Sequence, residues 1–462
     1  MSSTAVHSLT YLRPSGLDRS GGRALLGLQT SGGRTPAGTV ANPTFFRGFV
    51  TRPAVAAAGL LAVADVAAAR YYDPRRIRSA LLDPVVTANG DRLRFESFSG
   101  CCGVHARLDI LAAGLDGDTG YGTTNVDVNT PLRDALNGVT AGDPLHLTVG
   151  PDELAVATLG DRVVEKKVPL PDRWLRGFAE TQTIAEEFDL RAEVTAAEAV
   201  RFLRALPSSG GTAARGGQWV VATGGRLRLT SRPVPGAVCL PGPQRLTALH
   251  RVLRHADSLR VYGPQASTGS PLLASAWEIG LPGMRLTLTL SPEAGRGFSG
   301  EGTVLNALAD ADTEADAELL SVLLAWDPRI ELGELSARSG LTPDRVRPAL
   351  IRLGVDGRIG YDLAEAAHYH RELPYAAGRV ERHNPRLKAA RELVTAGNVL
   401  LDPDDPEAAT VTSGTYTHRV RLGSDGRFVC TCDWWAETRG NRGPCRHALA
   451  ARIIRASARS AL

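Results

Sequence analysis

Lysine is almost missing from this 462-residue chain: it occurs only at Lys166, Lys167 and Lys388. A phosphate-cradling GxxxxGK[ST] loop needs lysine followed by serine or threonine, and the followers here are Lys167, Val168 and Ala389. A Walker-type NTPase is excluded. Aromatics are thin as well, at 5%. No apolar run reaches the ~20 residues of a membrane span. The nearest, 54–69, is alanine-rich, carries Asp65 midway and follows Arg52-Pro53, which predicts a buried helix opened by Pro53. The N-terminus has no basic start leading into an apolar run, so no signal peptide is expected and the protein is expected to be cytoplasmic.

What remains is ordinary globular composition, with 43% hydrophobic and 22% charged residues. At about 100–200 residues per domain the length implies roughly two to four domains. Arginine plus lysine number 53 against 49 acidic residues, a net +4 too small to mark a nucleic-acid coat. Of six cysteines, Cys430, Cys432 and Cys445 fall within sixteen residues. In a cytosolic chain that clustering points to metal rather than to disulfides.

The pattern along the chain predicts an α+β protein. Residues 1–41, rich in Gly, Ser and Thr, read as a partly ordered leader with an apolar edge strand at 24–28. Residues 42–300 repeat a unit of one amphipathic helix followed by short alternating strands. The helices are predicted at 54–70, 132–139, 196–206 and 244–255. The strands are predicted at 92–98, 104–110, 145–149, 153–159, 162–168, 218–223, 226–231, 258–262, 275–281 and 284–290. Helices followed by hairpin-spaced strands argue a largely antiparallel sheet. The order resembles that of processivity-clamp folds, at the level of pattern and with no diagnostic residue. Cys101-Cys102 with His105 lacks an orienting partner and reads as a glycine-flanked strand start. The glycine-rich 114–125 reads as a loop, and His368, His370 and His383 show no ligand spacing. No enzyme is expected.

Residues 303–363 turn helical. A helix over 315–326 follows the acidic run 310–316, another covers 332–339, and Gly340 turns the chain. A third helix, capped by Thr342 with Pro343 at its first position, runs to Leu353-Gly354 and precedes a strand at 358–362. This resembles a winged helix-turn-helix, in which Arg345, Arg347 and Arg352 would lie on or near the recognition helix. Residues 364–407 hold a helix at 385–395 and the acidic loop 401–407, whose prolines and carboxylates suit a domain boundary.

The chemistry is concentrated in 408–462. Cys430-x-Cys432 is followed, after twelve residues, by Cys445-x-His447. In an extended strand residues i and i+2 share a face, so both sulfurs of the first pair point together. On a helix i and i+2 diverge by about 200°, so Cys445 must precede the helix that Gly443-Pro444 opens, with His447 in its first turn. Three thiolates and an imidazole form a complete tetrahedral set for one structural Zn²⁺, with no position left for water. Cys430, Cys432, Cys445 and His447 in this strand–strand–helix context resemble the SWIM zinc finger. The resemblance implies a ββα module for DNA or protein contact. It also implies, in bacterial members, partnership with MoxR-type AAA ATPases and von Willebrand A-domain proteins.

Nine arginines against three carboxylates give 408–462 a net +6, leaving −2 for the rest of the chain. Arg452, Arg455 and Arg459 recur on one side of the last helix, and Arg446 stands at its start. With Trp434 and Trp435 beside the metal, they are the expected contacts to DNA or RNA, or to a partner protein. The chain is thus expected to be a non-enzymatic zinc-binding modular protein: a nucleic-acid-binding or recruitment factor, or alternatively an adaptor in an ATPase-linked complex.

Overall fold

A computed structural model describes residues 11–20, 23–71, 83–151, 172–207, 217–294, 298, 301–309, 312–374, 384–405, 407–423, 427–440 and 443–460. The fold is mixed α+β with largely antiparallel sheets. The strands expected at 153–159 and 162–168, and His383, lie outside the described residues.

A ten-stranded antiparallel sheet runs in the order Asp189–Thr195, Ser258–Gly263, Ser275–Leu281, Met284–Leu290, Val104–Ile110, Leu93–Phe98, Val85–Asn89, Tyr121–Asn125, Gly33–Thr35 and Gly38–Val40. A five-stranded sheet orders Gly16–Ser20, Arg23–Leu28, Leu145–Val149, Phe46–Val50 and Leu115–Thr119. Its one parallel pair joins Leu145–Val149 to Arg23–Leu28. The segment expected as a leader therefore supplies strands to both large sheets. The run 24–28 is an interior strand rather than an edge, because it pairs with Gly16–Ser20 on one side and Leu145–Val149 on the other. The glycine-rich 114–125 also forms two strands instead of a loop. Glycine serves close approach there: Gly48 faces Gly117 across the register, and a Cβ on Gly48 would lie 2.3 Å from the Asp116 carbonyl oxygen.

Helix Pro53–Ala68, with Pro53 in its first turn, buries all but two of its residues against strands Val104–Ile110 and Leu93–Phe98. One of the two, Asp65, pairs with Arg133 at 2.6 Å and with Arg251. Among the described residues no helix is long and apolar enough to cross a membrane. The helix expected at 244–255 is instead a run of 3-10 turns, Pro243–Arg251 and Leu253–His255.

Alternation sorts the central strands into two faces. Leu93, Phe95, Ala106, Leu108, Ile110, Leu286 and Leu288 face helix Pro53–Ala68 within one apolar core. Arg94, Glu96, His105, Arg107, Asp109, Glu278, Arg285 and Thr287 point to the opposite face. An antiparallel sheet with such a pattern ordinarily shows its polar face to water. Here those residues are buried as well, each 8% exposed or less.

The cover comes from helix Asp172–Ala185 and from a later segment. Helices Asp312–Leu323, Leu332–Ser339 and Pro343–Val355 lead into the hairpin Ile359–Asp362 and Ala367–His370, and Ile330 bridges to His368 beside it. Gly340 takes φ +71, the left-handed turn a glycine allows between the second and third helices. Thr342 holds the N-cap position of the third helix, but its side chain makes no capping bond. That helix buries Val346, Ala349, Leu350 and Leu353 against its two neighbours, and Ile351 and Val355 join the core of helix Asp172–Ala185. Arg345 is held bidentate by Asp316 at 2.9 and 2.6 Å, and Arg352 lies 3.4 Å from Asp356.

The two helices meet at Gly354, where a Cβ would fall 1.3 Å from Nε2 of the buried Gln182. Gly354→Ala should therefore lower stability, since overpacking costs about 1–3 kcal/mol against the roughly 1 kcal/mol of helix propensity gained. In a Gln182→Ala background the same change should become neutral or stabilising. Urea denaturation of the four proteins checks this; equal effects of Gly354→Ala in both backgrounds would show that the contact does not limit the approach.

Candidate metal centre

Strands Val399–Leu401, Ala408–Ser413, Tyr416–Leu422 and Phe428–Cys430 form a four-stranded antiparallel sheet. The acidic loop 401–407 therefore connects two paired strands and is not a domain boundary. Its carboxylates act locally: Asp402 Oδ1 accepts from the Asp404 and Asp405 amides at 3.0 and 3.3 Å, which turns the chain. Helix Pro385–Thr395, capped by Asn384, packs on the last helix, Arg446–Ser460. The C-terminal unit thus begins well before residue 408.

Alternation in Phe428–Cys430 sends Phe428 and Cys430 inward and leaves Val429 exposed. Cys430 pairs with Val420 across the register and is 3% exposed. Cys432 follows in an extended conformation, φ −82° and ψ 160°, at the N-cap of the short helix Asp433–Thr438. The sequence expectation of two thiols aimed together is met, with a helix turn added between the ligand pairs. Gly440 and Gly443 have positive φ and bring the chain back to Pro444 and Cys445. Cys445 precedes helix Arg446–Ser460, and its sulfur accepts from the Ala448 amide at 3.3 Å. Ala448, Leu449, Ala450 and Ala451, all fully buried, seat this helix, and His447 stands in its first turn.

The outcome is one buried cluster. The ligand atoms of Cys430, Cys432, Cys445 and His447 all lie within 4.8 Å of one another. The nitrogen facing the sulfurs is His447 Nδ1, 3.8 Å from Cys430 Sγ and 4.0 Å from Cys445 Sγ. A tetrahedron with metal–sulfur bonds of ~2.3 Å and metal–nitrogen bonds of ~2.0 Å has edges of about 3.5–3.8 Å, so the set must contract by up to about 1 Å to close on one ion. Hydrogen bonds from Cys430 and His447 hold the Cys445 thiol well below its ordinary range, while that shared hydrogen bond and burial push the Cys430 thiol up. Burial pushes the Cys432 thiol up as well, so only Cys445 is predisposed to lose its proton, and metal binding must displace the protons of the other two. His418 stacks on the His447 ring at 4.1 Å, and Arg446 Nε donates to His447 Nε2 at 3.2 Å.

The residues expected to contact a partner are placed differently. Trp434 is half-buried under the Arg386 guanidinium, 4.9 Å from its ring, and Trp435 lies against Gly440. Arg446 Nη2 donates to Ser413 Oγ at 2.9 Å. Arg452 and Arg455 are half-buried, with Arg455 lying 5.5 Å over the Phe428 ring. Of Arg459, only the helical backbone is described. Arg391, Arg419, Arg421, Arg427, Arg439 and Arg446 are the exposed arginines among the described residues of this unit. Helical spacing showed which arginines share a side, but the hairpin that covers that side could not be read from it.

Elsewhere, His105 lies 3.2 Å from Glu96, His368 Nε2 lies 2.8 Å from Glu186 Oε1, and His370 Nδ1 accepts the Trp326 amide at 2.7 Å. These histidines serve packing and pairing. The group that sequence reasoning missed is the charged face of the ten-stranded sheet, whose signal was present in the alternation of RLRFESF, VHARLDI and MRLTLTL.

No family model matches this chain, and no curated protein matches it. One solved structure, the Proliferating Cellular Nuclear Antigen from Entamoeba histolytica, is similar over 54% of this chain and 98% of its own, at 10% identity and a TM-score of 0.32. At that level the likeness carries no argument about function.

Cys432→Ser should abolish stoichiometric metal binding, a larger loss than the ~10–100-fold that follows removal of a ligand's hydrogen-bond partner. It should also expose 385–460 to protease. Metal analysis and proteolysis of the full chain check both; a variant that keeps its metal would remove Cys432 from the ligand set.

Proposed function

We propose that residues 385–460 form a structural zinc module of the SWIM type and that the chain is a cytoplasmic, non-enzymatic binding protein acting through it. The carrying observation is the closed, buried Cys₃His set. Thiolate-rich tetrahedral donor sets favour zinc, and four protein ligands leave no coordination position for a substrate. In this reading zinc binding supplies folding energy to the module, as in small metal-organised domains.

The net +6 of 408–462 favours nucleic acid as the partner, through phosphate contacts. The contacts would fall on the exposed Arg419, Arg421, Arg427 and Arg439 rather than on the half-buried Arg452 and Arg455. The helical segment 312–370 supports a winged-helix-like module, although its third helix turns its C-terminal half into the body. A second reading, a protein adaptor of an AAA ATPase or von Willebrand A-domain system, is favoured by one observation: Trp434, Trp435, Arg446 and Arg455 are engaged within the module.

Salt discriminates the two. If three or four arginines meet duplex phosphates, affinity of the full chain should fall by about 40–150-fold between 50 and 200 mM salt, at a slope of ~0.9 per contact. Fluorescence anisotropy with DNA and RNA oligonucleotides measures this. No binding at 50 mM salt would leave the adaptor reading.

A further inference from the structure

At Asp109 the charged face of the ten-stranded sheet gathers more arginine than that one carboxylate can neutralise. In one row across three strands, Asp109 stands between Arg94 and Arg285, and Arg107 projects from the next position along the face. Asp109 meets all three, at 3.1 Å from Arg94 Nη1, 3.1 Å from Arg107 Nε and 3.4 Å from Arg285 Nη2. Three guanidiniums around one carboxylate make a local excess of positive charge, in a pocket of the sheet with no water-facing side.

The hairpin fills that excess with one side chain. Asp362, 1% exposed, places Oδ2 at 2.6 Å from Arg94 and 2.9 Å from Arg285, and Oδ1 at 3.2 Å from Arg107. Its own backbone orients it, since Oδ1 also accepts from the Ala364 and Glu365 amides at 3.1 and 3.3 Å. The Tyr361 carbonyl accepts from Arg107 Nη1 at 2.7 Å, and Glu365 pairs with Arg92. Burial opposes charge on Asp362, yet Arg107, Arg94 and Arg285 outweigh it and hold the carboxyl well below its ordinary range.

Two features distinguish this contact from a fused core. Where the hairpin meets the sheet its chemistry is largely ionic and polar, which is the composition of interfaces that open rather than of permanent ones. It is also incompletely satisfied. Nε and Nη2 of Arg94 and Nε of Arg285 have no hydrogen-bond partner among the described residues. A cavity of about 30 Å³, room for a water, lies between sheet and cover and is lined by Arg107; Thr181 Oγ1 and both amide atoms of Gln182, which also line it, are unpartnered too.

We propose that Arg94, Arg107 and Arg285 form a carboxylate-binding site, closed in cis by Asp362 of the hairpin and open to an acidic peptide when the hairpin lifts. The sequence Asp362-Leu-Ala-Glu365 shows what the site accepts: one carboxylate in the three-arginine nest and a second, three residues on, for Arg92. A partner peptide with two carboxylates at that spacing has the matching charge. Lifting the hairpin also frees the inner half of helix Pro343–Val355, so peptide binding and release of the helical module are coupled. This inference is independent of the metal reading.

Hydrogen exchange on the full wild-type chain tests it, with a peptide of residues 358–366 as probe. Hairpin amides 359–370 should exchange at least about 100-fold faster than those of strands Val104–Ile110 and Met284–Leu290. Excess peptide should accelerate the hairpin further and leave the strands unchanged. The same peptide with asparagine in place of the aspartate should not. In Asp362→Asn the labelled peptide should bind at least about tenfold tighter than in wild type. Hairpin and strands exchanging together would overturn the latch. Acceleration by both peptides, or by neither, would overturn the carboxylate site, whether or not Asp362→Asn folds.

Discussion

The fold is organised around a sheet that is dry on both sides. A strand with alternating apolar and polar residues settles one face for free, because apolar side chains bury favourably against helix Pro53–Ala68. The other face carries three guanidiniums, an aspartate, two glutamates and a histidine, and burying it unpaired would be prohibitive. Everything placed over it is therefore constrained to be its electrostatic complement. Asp362 answers the three arginines. Arg371 answers Glu96 at 2.6 Å while its guanidinium lies over the Phe178 ring. Tyr369 hydrogen-bonds the same glutamate and stacks beneath Arg94 at 4.0 Å. Position, and not only stability, follows from this, since a shifted hairpin would leave several charges without partners at once.

Much of this arrangement was legible in the chain, and what was not has a physical reason. The helices near 54–70, 196–206, 332–339 and 385–395, and the strands at 104–110, 145–149 and 284–290, announce themselves through period and punctuation, which are local. The polar face was also written in the alternation, but alternation says only that two faces differ. It does not say that the wet-looking face is covered, because the cover lies more than 250 residues away from Arg94 and Arg107 in sequence. The same limit explains the loop at 114–125. Its glycines look like flexibility in one dimension and become close strand contacts only when Gly117 meets Gly48.

The metal cluster was legible for the opposite reason. Its four ligands lie within eighteen residues, their chemistry is rare in combination, and strand and helix geometry alone decide whether they converge. The surroundings were not. Helical spacing groups the arginines and closeness to the ligands singles out the tryptophans, but neither shows that Arg386 on the neighbouring helix lies over Trp434 or that Arg455 lies over Phe428 of the hairpin. The acidic loop 401–407 looked like a boundary because its prolines and carboxylates oppose regular structure, but a turn between paired strands asks for the same residues.

These two centres are not mechanically separate. Cys430, Cys432 and Cys445 belong to the same apolar cluster as Phe98, Phe178 and Val355. Phe98 is on the charged-face strand beside Glu96, Phe178 carries Arg371, and Val355 ends the helix that the hairpin follows. The metal module thus rests on the apolar margin of the surface whose polar centre seats the hairpin. A close-packed cluster transmits displacement instead of absorbing it. The helix that leads into the hairpin and the sheet strand beneath it are thus packed, through Val355 and Phe98, in the same apolar cluster as the three cysteines.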